Sequence, residues 1–161
     1  MIFKMFLSSN TLFQLVSYHI SLILIVIGGL LYLSFRPDFL LMFGWADFLG
    51  LDNVVHQLRN QTAFMLTAMP EFIIYSLPNG LWIFSFGVLM LAIWGIHQPF
   101  QTYIWTAALL AVGISSEVLQ ITGLIPGTFD ILDVVAYLGG ALFVYLYHSI
   151  NLFFIRRRLK E

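Results

Sequence analysis

Three carboxylates and a glutamine fall within EVLQITGLIPGTFDILD, residues 117–133, as Glu117, Gln120, Asp130 and Asp133. Glu117 and Gln120 are three residues apart, so on a helix they share a face, and Gly113, one turn earlier, joins it. Carboxylates gathered in this way can hold or pass a proton, accept hydrogen bonds from a polar ligand, or hold a cation. Their flanks are among the most apolar stretches of the chain, and a charged carboxylate in hydrocarbon costs about 3 kcal/mol or more, so such groups face the protein interior, pair, and often mark function. Two readings of Glu117 stay open: a structural bond to a facing helix or wet boundary, or a ligand-binding or proton-handling role.

Between the carboxylates, Pro126 and Gly127 make a tight turn. Thr128 or Asp130 can then cap the following helix, where negative charge also suits the helix dipole. Asp130 and Asp133 have the spacing of a capping box with Asp in place of Glu, so Asp130 reads first as a cap. Asp133 shares a face with Ala136 or Tyr137 and with Gly140, small residues that let another helix approach closely. The simplest packing sets the third and fourth apolar segments side by side, with Glu117 and Gln120 meeting Asp133 near the outer membrane boundary. Acidic groups that close do not all ionise cheaply. A shared proton, a cation or a basic side chain is expected there, with Arg36, Arg59 and His56 as the candidates. Glu117, Asp130, Asp133 and His56 could hold Mg or Mn, but no fixed ligand spacing supports it, and no metal or cofactor is expected.

The elements that must position these residues are membrane helices. Of 161 residues 60% are hydrophobic and only 9% charged, against roughly 25% in a soluble domain. Four segments have the about 20 apolar residues that a span needs: 12–35, 77–96, 100–120 and 131–155. The expected fold is an all-α integral membrane protein, a single four-transmembrane-helix bundle over residues 1–161. The first segment reads as a retained span, being longer than a signal-peptide core and lacking a small-x-small cleavage site before Arg36. Pro78 opens the second span and Pro99 separates it from the third.

Residues 36–76 form an outer segment. Phe48, Leu51, Val55 and Leu58 recur there at helical spacing with Asp52, Asn53, His56 and Arg59 on other faces, which predicts an additional interfacial amphipathic helix. The stretch AFMLTAMPEFIIY, interrupted by Pro70 and Glu71, is expected to be interfacial or re-entrant. Lys4 before the first span and Arg156, Arg157, Arg158 and Lys160 after the last place both termini in the cytoplasm and the outer segment outside. The basic tail reads as a topology anchor on anionic headgroups. His97 and His148 read as solvated or snorkelling side chains at the cytoplasmic ends. A formal net charge of −1 argues against a nucleic-acid partner, and the absence of cysteine removes thiol chemistry.

The set Glu117 and Gln120 (ExxQ), Pro126-Gly127, Asp130 and Asp133 (DxxD), then Gly139 or Gly140, resembles the signature of VanZ-like membrane proteins. The family is named for a glycopeptide-resistance accessory protein. The resemblance is specific over residues 117–140 and looser elsewhere. Thr128 stands where family members carry Arg after the Pro-Gly, and Ala136 where they often carry Asn. The family's DKxxH motif is echoed by Asp52, Asn53 and His56, or by LPNGLW with Asn79 and Trp82. The resemblance implies a multi-pass protein of the bacterial cytoplasmic membrane. Its outward-facing acidic pocket would bind, or limit access to, a lipid-linked or peptidoglycan-related envelope component. Membrane lipids are expected partners, together with an envelope ligand, a second copy or another membrane protein. Alternatives are a membrane enzyme or proton-coupled transporter using Glu117, and a non-catalytic subunit of a membrane complex.

Overall fold

The computed structural model describes residues 2–38, 41–125 and 127–158, with side chains for 10–38, 42–125 and 127–157. The expected turn at Pro126, the tail residue Lys160, and the side chains of Lys4 and Arg158 lie outside the described residues. Among those described there is no strand. The helices are α1 (Ile2–Phe35), α2 (Leu41–Phe48), α3 (Asp52–Thr62), α4 (Leu77–Trp94), α5 (Pro99–Ile121) and α6 (Ile131–Arg158). A 3₁₀ turn, Ala63–Thr67, follows α3, and a π-helical turn, Phe72–Ser76, runs directly into α4.

Four helical stretches are long and apolar enough to cross a membrane: Asn10–Phe35, Phe72–Trp94, Pro99–Ile121 and Ile131–Arg157. At about 1.5 Å per residue even the shortest is about 35 Å long, more than the about 30 Å of a bilayer's hydrocarbon core. The sequence boundaries hold to within a few residues except for the second stretch, which begins at Phe72 rather than at Leu77. The difference comes from Pro78. In a regular α-helix its ring would press on the carbonyl four residues back. Here the preceding turn is wider, with the Leu77 N–H bonded to the Phe72 carbonyl, and a π-turn is a common way for a helix to absorb such a misfit. Residues 62–76 therefore divide, the 3₁₀ turn staying on the outer segment and the last five residues extending the apolar helix.

The amphipathic pattern at 48–58 is also redistributed. Phe48 ends α2 and is exposed, while α3 begins only at Asp52 and buries Val55 against the bundle.

Helix α4 is the centre of the bundle: 56% of its apolar window is buried, against 17%, 11% and 17% for those of α1, α5 and α6. Helices α5 and α6 pack against each other as expected, with Glu117 reaching Asp130 across them, but Ala136 and Gly140 of α6 face α4. A Cβ built on Gly80 would lie 2.7 Å from the Ala136 carbonyl oxygen, and one on Gly140 would collide with the Gly80 carbonyl. With no side chains between them the two backbones approach closely, as small-residue faces of apolar helices do. On α5, Gly113 seats the ring of Tyr137, 3.1 Å from where its Cβ would stand.

At the end of the bundle that holds both chain termini, Phe13, Leu91, Ile96 and Val144 form the apolar core. Ser85 Oγ donates to the Ser21 carbonyl at 2.8 Å, and Ser17 Oγ meets Tyr147 Oη at 3.0 Å. His148 corrects the sequence expectation: it is buried, not snorkelling. Its Nε2–H donates to the Ile96 carbonyl at 2.9 Å, which leaves Nδ1 to accept from the Tyr103 hydroxyl at 2.8 Å. One imidazole thus ties together α5, α6 and the end of α4, where the carbonyl has no helical donor. His97 is exposed, as expected.

Gly80→Val should lower the melting temperature of the detergent-solubilised protein, with a loss of about 1–3 kcal/mol from overpacking. Gly139→Ala, whose Cβ would meet nothing within 4 Å, should change stability by no more than about 1 kcal/mol.

Candidate functional site

The end of the bundle where α1 finishes and α6 starts brings together Arg36 just after α1, Ser76 at the end of the π-turn, Asn79 in the first turn of α4, Glu117 near the end of α5, and Asp133 in the first turn of α6. Asp133 is 8% exposed, and its Oδ2 lies 3.8 Å from Arg36 Nη2. The same Arg36 nitrogen donates to the Tyr75 carbonyl at 2.6 Å. Its guanidinium rests between the rings of Tyr32 and Tyr75, 5.7 and 5.5 Å from their centroids. Aromatic faces favour a cation placed in this way.

Arg59 has a different task. From the last turn of α3 its Nη1 donates to the carbonyls of Leu33, at 3.1 Å, and of Arg36, at 2.7 Å. These carbonyls belong to the end of α1, where helical donors run out and a cation is favoured by the dipole. Phe43 of α2 lies under the guanidinium at 5.3 Å. Arg59 is therefore a cap that holds Arg36 in place, not the acids' direct counter-ion.

Glu117 is 2% exposed. Its Oε2 accepts the backbone N–H of Asp130 at 3.1 Å, while Asp130 Oδ1 accepts the N–H of Leu132 at 2.8 Å. Asp130 is the expected cap, but the box is closed differently. In a local capping box the residue three positions on would accept the cap residue's N–H. Here Glu117 does so from another helix, and Asp133 is released to face Arg36. Glu117 remains within electrostatic range of Asp130 and Asp133.

Gln120 is not drawn into the carboxylates. Its amide lies under Gly127, where an added Cβ would come within 2.8 Å of Gln120 Cδ. Asp52 and His56 pair with each other at 3.3 Å and line a separate cavity of about 290 Å³ with Asp38, Asp47 and Arg59. So the structure unites Glu117, Asp130, Asp133 and Arg36, attaches Arg59 through the Arg36 carbonyl, and leaves Gln120, Asp52 and His56 outside. The acidic pocket expected from the sequence is a mixed-charge site.

Sequence reading missed Ser76 as a member. It is fully buried, and with Asn79 it neighbours the Asp133 carboxylate. A hydroxyl at the threshold of an apolar span was the available signal. Three buried side-chain atoms at this place have no hydrogen-bond partner at full bonding geometry: Arg36 Nε, Ser76 Oγ and Asp133 Oδ1. Buried polar atoms are nearly always satisfied, because each orphan costs about 1–3 kcal/mol. The Ser76 hydroxyl and the Asn79 amide stand close enough to Asp133 to donate to its carboxylate, which leaves Arg36 Nε as the donor with no partner within the site. The chain matches no known family model, no curated protein and no solved structure.

If Arg36 and Asp133 act as a pair, Arg36→Gln and Asp133→Asn should each destabilise the protein. The double variant should lose less than the sum, by about 1–3 kcal/mol, in thermal melts of the four proteins of the cycle.

Proposed function

We propose that this chain is a VanZ-like multi-pass protein of the bacterial cytoplasmic membrane that binds the polar group of a cell-envelope component at its outer face. The observation that carries the proposal is the buried Arg36–Asp133 pair, held only at 3.8 Å, with Arg36 Nε left without a partner. A purely structural ion pair would be expected to satisfy its own donors and acceptors.

In this reading the four apolar stretches cross the bilayer, with both termini on the cytoplasmic side and the Arg36–Asp133 site outside. The basic tail of Arg156, Arg157, Arg158 and Lys160 supports that orientation. The outer segment lies on the membrane surface. Trp45, Phe48, Leu49, Leu51 and Val54 are exposed around the α2–α3 corner, and apolar and aromatic side chains at such a corner suit the headgroup boundary. Glu117 serves to hold the start of α6 rather than to carry protons, because its carboxylate is already bonded to Asp130.

Topology is testable because the chain holds no cysteine. A cysteine introduced at Thr128 should react with a membrane-impermeant maleimide on intact cells, and one at Gln98 only after permeabilisation. The reverse pattern would invert the site.

Binding is tested most cleanly by Ser76→Ala. Removing the Ser76 hydroxyl, one of the donors beside the Asp133 carboxylate, should cost about 1 kcal/mol and lower the melting temperature only modestly. It should nevertheless weaken retention of co-purified envelope lipid, with a matching change in susceptibility to envelope-acting antibiotics. Retention and susceptibility equal to wild type in Ser76→Ala and in folded Asp133→Asn would sink the proposal.

A further inference from the structure

Helix α1 carries two polar side chains on a face that no described residue covers. Tyr18 and His19 are both exposed, and with Ser21, Leu22, Ile25 and Leu89 of α4 they line a groove of about 400 Å³. His19 Nδ1–H donates to the Leu15 carbonyl at 2.8 Å, since a carbonyl can only accept. That leaves Nε2 as an acceptor to which no described residue donates, and no described residue bonds the Tyr18 hydroxyl either. On the reading that Asn10–Phe35 crosses the bilayer, both groups lie about 13 Å of helix inside its first residue. An open donor and an open acceptor in hydrocarbon are each costly, and acyl chains relieve neither.

The outward faces of α1 are apolar along most of their length, so spacing alone selects no partner; the two polar groups do. They sit side by side at one depth, one a donor and the other an acceptor. A second copy inserted in the same orientation presents the same pair at the same depth, so the tyrosine of each can donate to the histidine of the other. The register fits this exchange. Leu15, Tyr18, Leu22 and Ile25 recur at spacings of three, four and three, as a and d positions of a heptad do, and all four are exposed. His19 then takes an e position. In parallel helices a d side chain enters a hole of four residues on the facing helix, and that hole includes the facing e residue.

We propose that the chain pairs with a second copy of itself through α1, as parallel helices about a two-fold axis, with each Tyr18 hydroxyl donating to the partner's His19 Nε2. The pairing goes beyond the function proposed above and rests only on its statement that α1 crosses the bilayer. An inverted topology would turn both copies over together and leave the seam intact.

The chain holds no cysteine, so single cysteines report the seam in native membranes. Ile25→Cys, on the seam, should give a disulfide-linked species of twice the chain mass on mild oxidation. Ile27→Cys, also exposed but about 160° away around the helix, should give about tenfold less. In sedimentation equilibrium of the full chain in micelles, Tyr18→Phe should raise the dimer's dissociation constant roughly eightfold, as expected for two interhelical hydrogen bonds lost. His19→Leu should do the same by a similar factor, and the double variant should do no more than either alone, because one bond joins the two side chains.

Equal cross-linking at Ile25→Cys and Ile27→Cys, or no dimer in either measurement, would overturn the proposal. Additive losses in the double variant would do so too, as would both single variants dimerising as tightly as wild type with the wild-type melting temperature. A disulfide adduct of another mass at Ile25→Cys would assign the face to a different membrane protein and overturn it as well. None of these outcomes bears on lipid retention at the Arg36–Asp133 site, which Ser76→Ala reads separately.

Discussion

Everything at the Arg36–Asp133 end of this bundle depends on how closely α4 and α6 can approach. Gly80 and Gly140 have no Cβ at the crossing, and the Ala136 carbonyl lies against Gly80. Between apolar helices in lipid no hydrophobic force favours association over lipid contact, so close backbone packing of this kind supplies much of the attraction. One turn further along, the same approach brings Ser76 beside Asp133, whose carboxylate faces Arg36. A side chain at either glycine would separate the helices and, with them, the groups of the site.

Charges near the membrane boundary are costly, and each charge here is assigned a partner by the architecture. Arg59 satisfies the carbonyls that α1 leaves open. Glu117 satisfies the N–H that α6 leaves open at Asp130. Arg36 and Asp133 face each other only at 3.8 Å, and Arg36 Nε is left without a partner. Helix ends account for the first two arrangements, whereas no local rule of secondary structure accounts for the Arg36–Asp133 pair.

The opposite end is built on another principle. There a compact apolar core and a few internal hydrogen bonds, including His148 between Tyr103 and Ile96, lock the helices with the imidazole's two nitrogens both in use.

The linear order of residues by itself determined the class of the fold. Length, low charge and four long apolar runs dictate helices able to cross a membrane, since no other backbone arrangement of such runs satisfies its own hydrogen bonds in an apolar medium. It also narrowed the cap of α6 to Thr128 or Asp130, because capping is local and readable from a turn followed by a hydroxyl and an acid, and the structure selects Asp130. It did not determine where the second apolar helix starts, because Pro78 marks a stop in local terms and only the preceding π-turn lets the helix run through it. Nor did it decide which charges meet. Spacing placed Glu117 with Gln120 and Asp130 with Asp133, but Glu117 instead reaches Asp130 across 13 residues, and Asp133 turns to Arg36, nearly a hundred residues earlier in the chain. Such pairings follow from which helix faces pack together, and that choice belongs to the glycine contact between α4 and α6.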